Sequence, residues 1–312
     1  MTIKVEDKMN VSVVMTTYNG EKYLVEQLDS LRKQSFAVNE VLFFDDRSID
    51  STQDIIEKYI ETYKLSEWKF TRNVTNLGWR RNFIYAFEKA SGDIIFPCDQ
   101  DDIWHHDKIE NMVKIMETHP EINLLASNYN IFRVDGNMDN MRYYLDDETL
   151  EKVNLSFHNI YNARPGCVYC FRKNHFMKYK SLWNEVLGHD DFLWKISLLD
   201  GSLYIFNKCT IEYRRHSTNT TQLIHSKANR IKENNSYKQL FEACQHYSLS
   251  KSNTVKRFLK KEIRFCNIRK RILEDSSLMA LLCAVPMYKL YKTRRHFLGD
   301  IAIILRPSLF EE

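Results

Sequence analysis

From Val11 onward the chain alternates short β-branched or aromatic runs with stretches whose apolar residues recur every three or four positions. That alternation predicts β-α units and an α/β fold with a mostly parallel central sheet flanked by helices. VSVVMTT (11–17) predicts a buried first strand, and after the Asn19-Gly20 turn Leu24, Leu28 and Leu31 mark one face of a helix. EVLFFDD (40–46) predicts a second strand, followed by Asp50 as cap of a helix carrying Ile55, Ile56, Tyr59, Ile60 and Tyr63. A short strand at 68–73, a helix from Phe83 to Ala90 and a third core strand, DIIFPC (93–98), come next. The following helix turns Ile109, Met112, Val113 and Met116 inward, and Pro120 ends it. INLLASNYNIF (122–132) is strand-like, whereas 133–160 is polar, acidic and irregular, a loop over the strand ends. CVYCFRK (167–173), SLYIFN (202–207) and TIEYRRH (210–216) predict further strands, and 190–199 a helix. Beyond about 225 only helical patterns occur, so the expected domains are 1–225 and a helical appendage at 226–312.

Charge reinforces that boundary. The formal net charge is only +4, yet residues 1–225 hold 27 Lys/Arg against 33 Asp/Glu while 226–312 hold 18 against 8. Glycine is scarce, 8 in 312, and its spacing allows neither G-x-G-x-x-G nor G-x-x-x-x-G-K, which excludes Rossmann dehydrogenases and Walker ATPases. Seven scattered cysteines suggest reduced thiols rather than a disulfide framework. Cys167 and Cys170 read as alternation within a strand, because no second pair accompanies them to bind zinc. Lys4, Glu6, Asp7 and Lys8 interrupt the first ten residues, which does not fit a secretory signal, so a cytoplasmic catalytic part is expected.

Open α/β sheets bind ligands at the carboxyl ends of their strands. Here the predicted strands end in Thr16-Thr17-Tyr18-Asn19, in Asp45-Asp46, and in Cys98-Asp99-Gln100-Asp101-Asp102. Carboxylates clustered at adjacent strand ends repel one another unless a cation or hydrogen-bond donors offset them. A hard divalent ion, Mg2+ or Mn2+, shared with substrate phosphate oxygens is the economical explanation. Asp45-Asp46 alone reads equally well as a capping turn, and Asp102 as the cap of a helix starting near His105.

Taken in order over residues 11–219, the segments VSVVMTTYNGEKYLVEQLDSL, FFDDRSIDST, NLGWRRN, SGDIIFPCDQDDIW, GHDDFLW and YRRHSTN resemble the motifs of family 2 glycosyltransferases with the GT-A fold. DQDDIW, the His-Asp late motif and Y-R-x-H-x-x-N resemble the bacterial rhamnosyltransferase-like branch of that family. The resemblance implies a metal-dependent, inverting transfer of a sugar to a cell-surface polysaccharide or its lipid-linked precursor. The implied donor is TDP-rhamnose, with a UDP-hexose or UDP-N-acetylhexosamine as the alternative. By the same resemblance Thr16 and Tyr18 line the base pocket and Asp46 accepts a hydrogen bond from the ring N–H of uracil or thymine. Asp99 sits near the ribose, Asp101 binds the metal, Asp102 shares either role, and His216 is the second protein ligand. Arg214 or Arg215 offsets charge on the leaving group, Arg81 is a phosphate contact, and Asn219 fixes the final loop. Aligning on Trp194 puts Asp190 at the catalytic base, with Asp191 as its rival and His189 where the family more often has Glu. Asn162 and Gly166 fall in the stretch expected to shape the donor pocket. A non-catalytic nucleotide-sugar-binding scaffold is the competing reading.

Residues 278–305 join the apolar runs LMALLCAVPMY and FLGDIAIIL to Lys289, Lys292, Arg294 and Arg295. Neither run approaches the roughly 18–20 apolar residues of a spanning helix. Two readings fit: an interfacial helix on the anionic inner face of the cell membrane, or a packed or homo-oligomerising helix with a solvated basic face. No nucleic-acid reading motif accompanies the charge.

Overall fold

In the computed structural model, which describes residues 9–133, 144–216, 226–247 and 252–305, the strand-forming runs assemble into one mixed sheet. Its strands are β1 (Val11–Thr17), β2 (Glu40–Asp45), β3 (Trp68–Arg72), β4 (Ile94–Cys98), β5 (Ile103–Trp104), β6 (Leu124–Arg133), β7 (Leu150–Lys152), β8 (Tyr169–Arg172) and β9 (Leu203–Arg215). They lie in the order β3-β2-β1-β4-β8-β6-β9-β5, with β7 against β9. Helices α1 (Leu24–Arg32), α2 (Thr52–Tyr63) and α3 (Trp79–Lys89) are the crossovers between β1, β2, β3 and β4, and those strands pair in parallel. Parallel pairing also joins β6 to β9, whereas β8 runs antiparallel between β4 and β6, and β5 and β7 run antiparallel to β9. The expectation of a mostly parallel sheet therefore holds for the first half of the fold and gives way to mixed pairing in the second.

Strands β1, β2 and β4 are buried almost throughout, which is why they read as continuous apolar runs rather than as alternation. The two strands expected at 202–207 and 210–216 are one, β9, whose register against β6 shifts at Ser127/Asn128 and Asn128/Asn130. Those irregularities let one strand pass through the polar break at 208–209 that separated the two expected strands. Strands β5 and β7, two and three residues long, are too short to show a period. Cys167 is not in a strand but in a short 3-10 turn, Gly166–Val168, and Asp50 is not the cap of α2. Ser51 holds that position, while Asp50 accepts from the Thr52 N–H and hydroxyl.

The chain divides into two compact units. The sheet unit comprises the described residues of Met1–Val153, Arg164–Lys178 and Ser202–Asn219, and includes α4 (Lys108–Thr118) and nearly all of α5 (Lys173–Tyr179). The helical unit takes Asn154–Ala163, Tyr179–Gly201 and the described residues from 226 onward. It contains α6 (His189–Asp200), α7 (Lys227–His246), α8 (Asn253–Leu273), α9 (Leu278–Ala284) and α10 (Arg294–Leu305). The change of character near 225 is thus not the beginning of the helical unit, which draws α6 and 154–163 from earlier in the chain. Helix α6 is buried along almost its whole length, and Trp194 Nε1 donates to the Asn159 carbonyl at 2.7 Å. Asn184 and Ser236 bond each other, tying the segment before α6 to α7. Asp300, fully buried on α10, receives Arg230 of α7 at 3.1 Å and Arg269 of α8 at 2.8 Å. No helix among the described residues is long and apolar enough to cross a membrane.

Candidate active site

The end of β1 is fastened to its neighbours through the backbone. Gln100 accepts from the Tyr18 N–H at 2.9 Å and donates to the Tyr18 carbonyl at 3.1 Å. A Cβ at Gly20 would stand 2.4 Å from the Gln100 amide oxygen, so a larger residue there would displace Gln100 from the Tyr18 backbone. This holds Tyr18 with its side chain 50% exposed, while Thr16 is half-buried one pleat earlier. Asp45, with no exposed surface, takes the Thr17 hydroxyl at 3.0 Å together with the N–H and hydroxyl of Ser48. It is a loop anchor. Asp46 is also buried, and accepts from Asn73 Nδ2 at 2.8 Å, the Leu77 N–H at 2.7 Å and the Gly78 N–H at 2.8 Å. Asp46 therefore ties down the NLG segment, and with three bonds made a carboxylate has about one acceptor site left for a base N–H. Arg81 is exposed in the first turn of α3.

The acid run after β4 separates into different environments. Asp101 Oδ2 lies 2.7 Å from Nε2 of His216, so the two residues expected to share a metal are in direct contact. The His216 ring also packs 5.0 Å from Tyr23. Asp102 is fully buried: its Oδ1 accepts from the Arg214 N–H at 3.1 Å, and its Oδ2 has no hydrogen-bond partner among the described residues. It does not cap a helix, because β5 follows it and α4 begins only at Lys108, after Asp107. Burial first, then the charges of Asp99 and Asp101, push its carboxyl well above the usual carboxylate range.

Of the two arginines, Arg214 is the one held within the protein. Its guanidinium is buried, donates to the Asp101 carbonyl and to Glu26 at 2.7 Å each, and stacks over Tyr23 at 4.4 Å and Phe132 at 4.6 Å. Through its guanidinium and its backbone N–H it braces Asp101 and Asp102. Arg215 is the exposed member of the pair. Asn219 lies outside the described residues.

Sequence reasoning missed two neighbours of this cluster. Cys167, which looked like a strand residue, puts its thiol with Asp99 and Asp102 in a group whose ligand atoms lie within 4.8 Å of one another. Lys108 is fully buried, donates to the Cys167 carbonyl at 2.7 Å and lies 4.2 Å from the Trp104 ring. Burial pulls its ammonium down to about 8, opposed by Cys167, Cys98 and Asp102. The signal for Lys108 was its spacing, four residues before inward-facing Met112.

These residues fit a divalent cation. Two adjacent groups supply the donors: the Asp99 and Asp102 carboxylates, gathered with the Cys167 thiol, and the Asp101–His216 pair; carboxylate oxygens and an imidazole nitrogen suit a divalent cation. The Cys167 sulfur is the soft member of its group, and a hard ion such as Mg2+ or Mn2+ prefers the carboxylate oxygens beside it.

In the helical unit, Gly188 caps α6 and both acids of the His-Asp-Asp motif stand in its first turn, where the helix dipole favours negative charge. Asp190 accepts from Asn162 Nδ2 at 2.8 Å. Asp191 is ion-paired one turn along to Lys195, whose fully buried ammonium lies 4.4 Å from the Tyr237 ring. His189 is buried and its imidazole is pushed down to about 4 by burial, partly opposed by Asp190, so it is neutral at physiological pH. The motif thus holds one acid by an amide, one by an ammonium, and a neutral ring.

The model of "Glycosyl transferase family 2" matches residues 12–183. The dTDP-rhamnosyl transferase RfbG of Shigella flexneri is 29% identical over 217 residues, 66% of this chain and 72% of that protein. The poly(ribitol-phosphate) beta-N-acetylglucosaminyltransferase TarS of Staphylococcus aureus is 34% identical over 113 residues, which is 36% of this chain but only 19% of that longer protein. Among solved structures, TarS residues 1–349 in complex with UDP-GlcNAc superpose with a TM-score of 0.64 at 20% identity, covering 96% of this chain and 83% of that one. A mannosyltransferase from Pyrobaculum calidifontis in complex with GDP-Man and Mn2+ gives 0.55 at 13% identity, covering 96% and 88%. With a sheet whose strand ends carry these motifs and a family match over more than half its length, the chain belongs to glycosyltransferase family 2 and has the GT-A fold.

Proposed function

We propose that the protein is a metal-dependent, inverting glycosyltransferase moving L-rhamnose from TDP-rhamnose to a hydroxyl of a cell-surface polysaccharide or its lipid-linked precursor. The observation that carries this reading is the direct Asp101–His216 contact, 2.7 Å, which brings the acid run after β4 and the end of β9 together. The rhamnosyl transferase relative supports the choice of sugar. In this reading Tyr18 offers its exposed ring face to the pyrimidine, Thr16 lines the pocket, Asp46 lends its remaining acceptor site to the base, and Asp99 meets the ribose. Asp101, Asp102 and His216 would hold Mn2+ or Mg2+, which when bound supplies positive charge to the diphosphate. Arg215 adds to that charge, and Arg81 is a further phosphate contact.

Asp190, oriented by Asn162, takes the proton of the acceptor hydroxyl. The acceptor oxygen bonds to C1 of the sugar as the C1–O bond to the diphosphate breaks, and that electron pair leaves with the nucleotide. One displacement inverts the anomeric centre, so a β-linked donor yields an α-rhamnoside. Asp191 is the weaker choice of base, since protonating it strips the buried Lys195 ammonium of its partner.

Nucleotide release from TDP-rhamnose, UDP-glucose and UDP-N-acetylglucosamine, with glycan acceptors and with Mn2+ or chelator, tests the proposal. TDP-rhamnose turnover abolished by chelation is expected, with Asp190→Asn lowering kcat by about 10²–10⁴-fold at unchanged melting temperature. Asp191→Asn should chiefly lower the melting temperature. Turnover of UDP-N-acetylglucosamine instead would favour the donor named for the TarS relative. Nucleotide binding without turnover of any donor would leave the scaffold reading standing.

A further inference from the structure

We infer that the outward face of α9, with the basic segment that follows it, is a docking surface for an anionic lipid bilayer. Helix α9 is apolar on two sides. Its inner side, Ala280, Leu281 and Ala284, is buried in a cluster with Phe265, Ile272 and Tyr291. Its outer side, which an ordinary surface helix would make polar, carries Leu278 (58% exposed), Met279 (65%) and Leu282 (58%), continued by Val285 (49%) in the next turn. Positions 278, 282 and 285 follow helical spacing, so these side chains form one strip rather than scattered exposures.

Charge identifies the occupant. Tyr288 ends the strip half-exposed, and Lys289, Lys292, Arg294 and Arg295 follow it, all exposed. Between 276 and 305 the sequence holds one acid, Asp300, and that carboxylate is buried between Arg230 and Arg269. The exposed surface of this segment therefore has four cations and no anion. An apolar strip, an aromatic side chain with a polar tip, and lysines and arginines is the composition of a helix lying in the head-group region. A second copy of the chain docked on the same face would bring like charges together, whereas anionic head groups complement them. No helix among the described residues is long and apolar enough to span, so what they offer a bilayer is this surface. It does not depend on which sugar or acceptor the enzyme uses.

The test is flotation of the purified full chain with vesicles of phosphatidylcholine alone and of phosphatidylcholine mixed with phosphatidylglycerol. Binding to the mixed vesicles, weakened by salt, is expected. Lys289→Gln and Lys292→Gln should each weaken it about fivefold, and Leu282→Glu about tenfold or more, with the melting temperature of each variant unchanged. Met279→Glu serves the same purpose if Leu282→Glu lowers the melting temperature. Failure to bind the mixed vesicles, equal binding to neutral ones, or unchanged binding by folded Leu282→Glu and Met279→Glu overturns the inference. So does a lipid-free dimer in sedimentation that Leu282→Glu dissociates, because the strip would then be covered by a second copy.

Discussion

Asp102 combines two demands that a water-exposed residue never meets together. Its carboxyl is fully buried, flanked by Asp99 and Asp101, and half of its acceptor capacity is unused among the described residues. Burial and the neighbouring acids shift the carboxyl toward its neutral form, and a bound cation would favour the ionised one. Asp102→Asn should therefore melt at or slightly above the wild-type temperature in chelator, since an amide never carries a charge that must be buried beside Asp99 and Asp101. It should also lose the rise in melting temperature expected of the wild type with Mn2+ plus nucleoside diphosphate, measured by differential scanning fluorimetry.

Glu262 on α8 makes a pH-dependent counterpart, its carboxyl pushed up to about 8 by burial, opposed by Lys195 and Lys261. A raised folded-state pKa means the folded chain holds a proton that the unfolded chain has released. Stability from this group is full below about pH 4.5 and declines up to about pH 8, by at most roughly 1.4 kcal/mol per pH unit. His189, pushed down to about 4, acts in the opposite sense, its contribution being lost as pH falls from 6.5. The two effects oppose one another in mildly acidic solution, leaving a net decline between about pH 6.5 and 8. Urea unfolding across that range should show a smaller decline in Glu262→Gln than in wild type.

Helices α7, α8 and α10 are joined by one buried carboxylate, Asp300, with two guanidinium groups. Gly299 lets them meet, because a Cβ there would come 2.3 Å from Arg230. Asp300→Ala would leave Arg230 and Arg269 buried without their counter-charge, so a loss of about 3–5 kcal/mol is expected from urea midpoints. Nothing in the local pattern FLGDIAIIL announces this; an acid inside an apolar run looks like a solvent-facing break until its partners on other helices are known. The opposite held for β1, α1, β2, α2, β4 and α4, whose cores are set by local periodicity and which fold where that periodicity places them. Boundaries failed where long-range pairing prevailed. Strand β9 runs through the break at 208–209 because β6 pairs along it, and Cys167 leaves the extended conformation its neighbours suggested.

The split between an acidic first part and a basic tail is real in charge but not in architecture. Helix α6, with Asp190 and Asp191, is packed by residues of the tail: Lys195 lies under Tyr237, and Asn184 bonds Ser236. Removing 226–312 should therefore not give a trimmed, fully folded catalytic domain. Hydrogen exchange should show 189–200 losing protection while the 11–98 strands keep theirs, and turnover should vanish. A truncated chain with full activity would mean that α6 holds its conformation without these contacts.

Read alone, the sequence determined the class of fold, the order of the strand-end motifs, the family, and the residue types available for a metal, a base and a pyrimidine, because local periodicity and motif spacing are written in consecutive residues. Only the tertiary structure decided what each motif residue is free to do. Arg214 is held by Glu26 and the Asp101 carbonyl, Asp46 by the Leu77 and Gly78 amides, and Asp191 by Lys195, while Asp101 meets His216 and Asp102 is buried beside Asp99 and the Cys167 thiol. These assignments depend on partners 4 to 188 residues away, and on burial that raises or lowers the free energy of a charge. Neither quantity is a property of a residue and its neighbours in the chain.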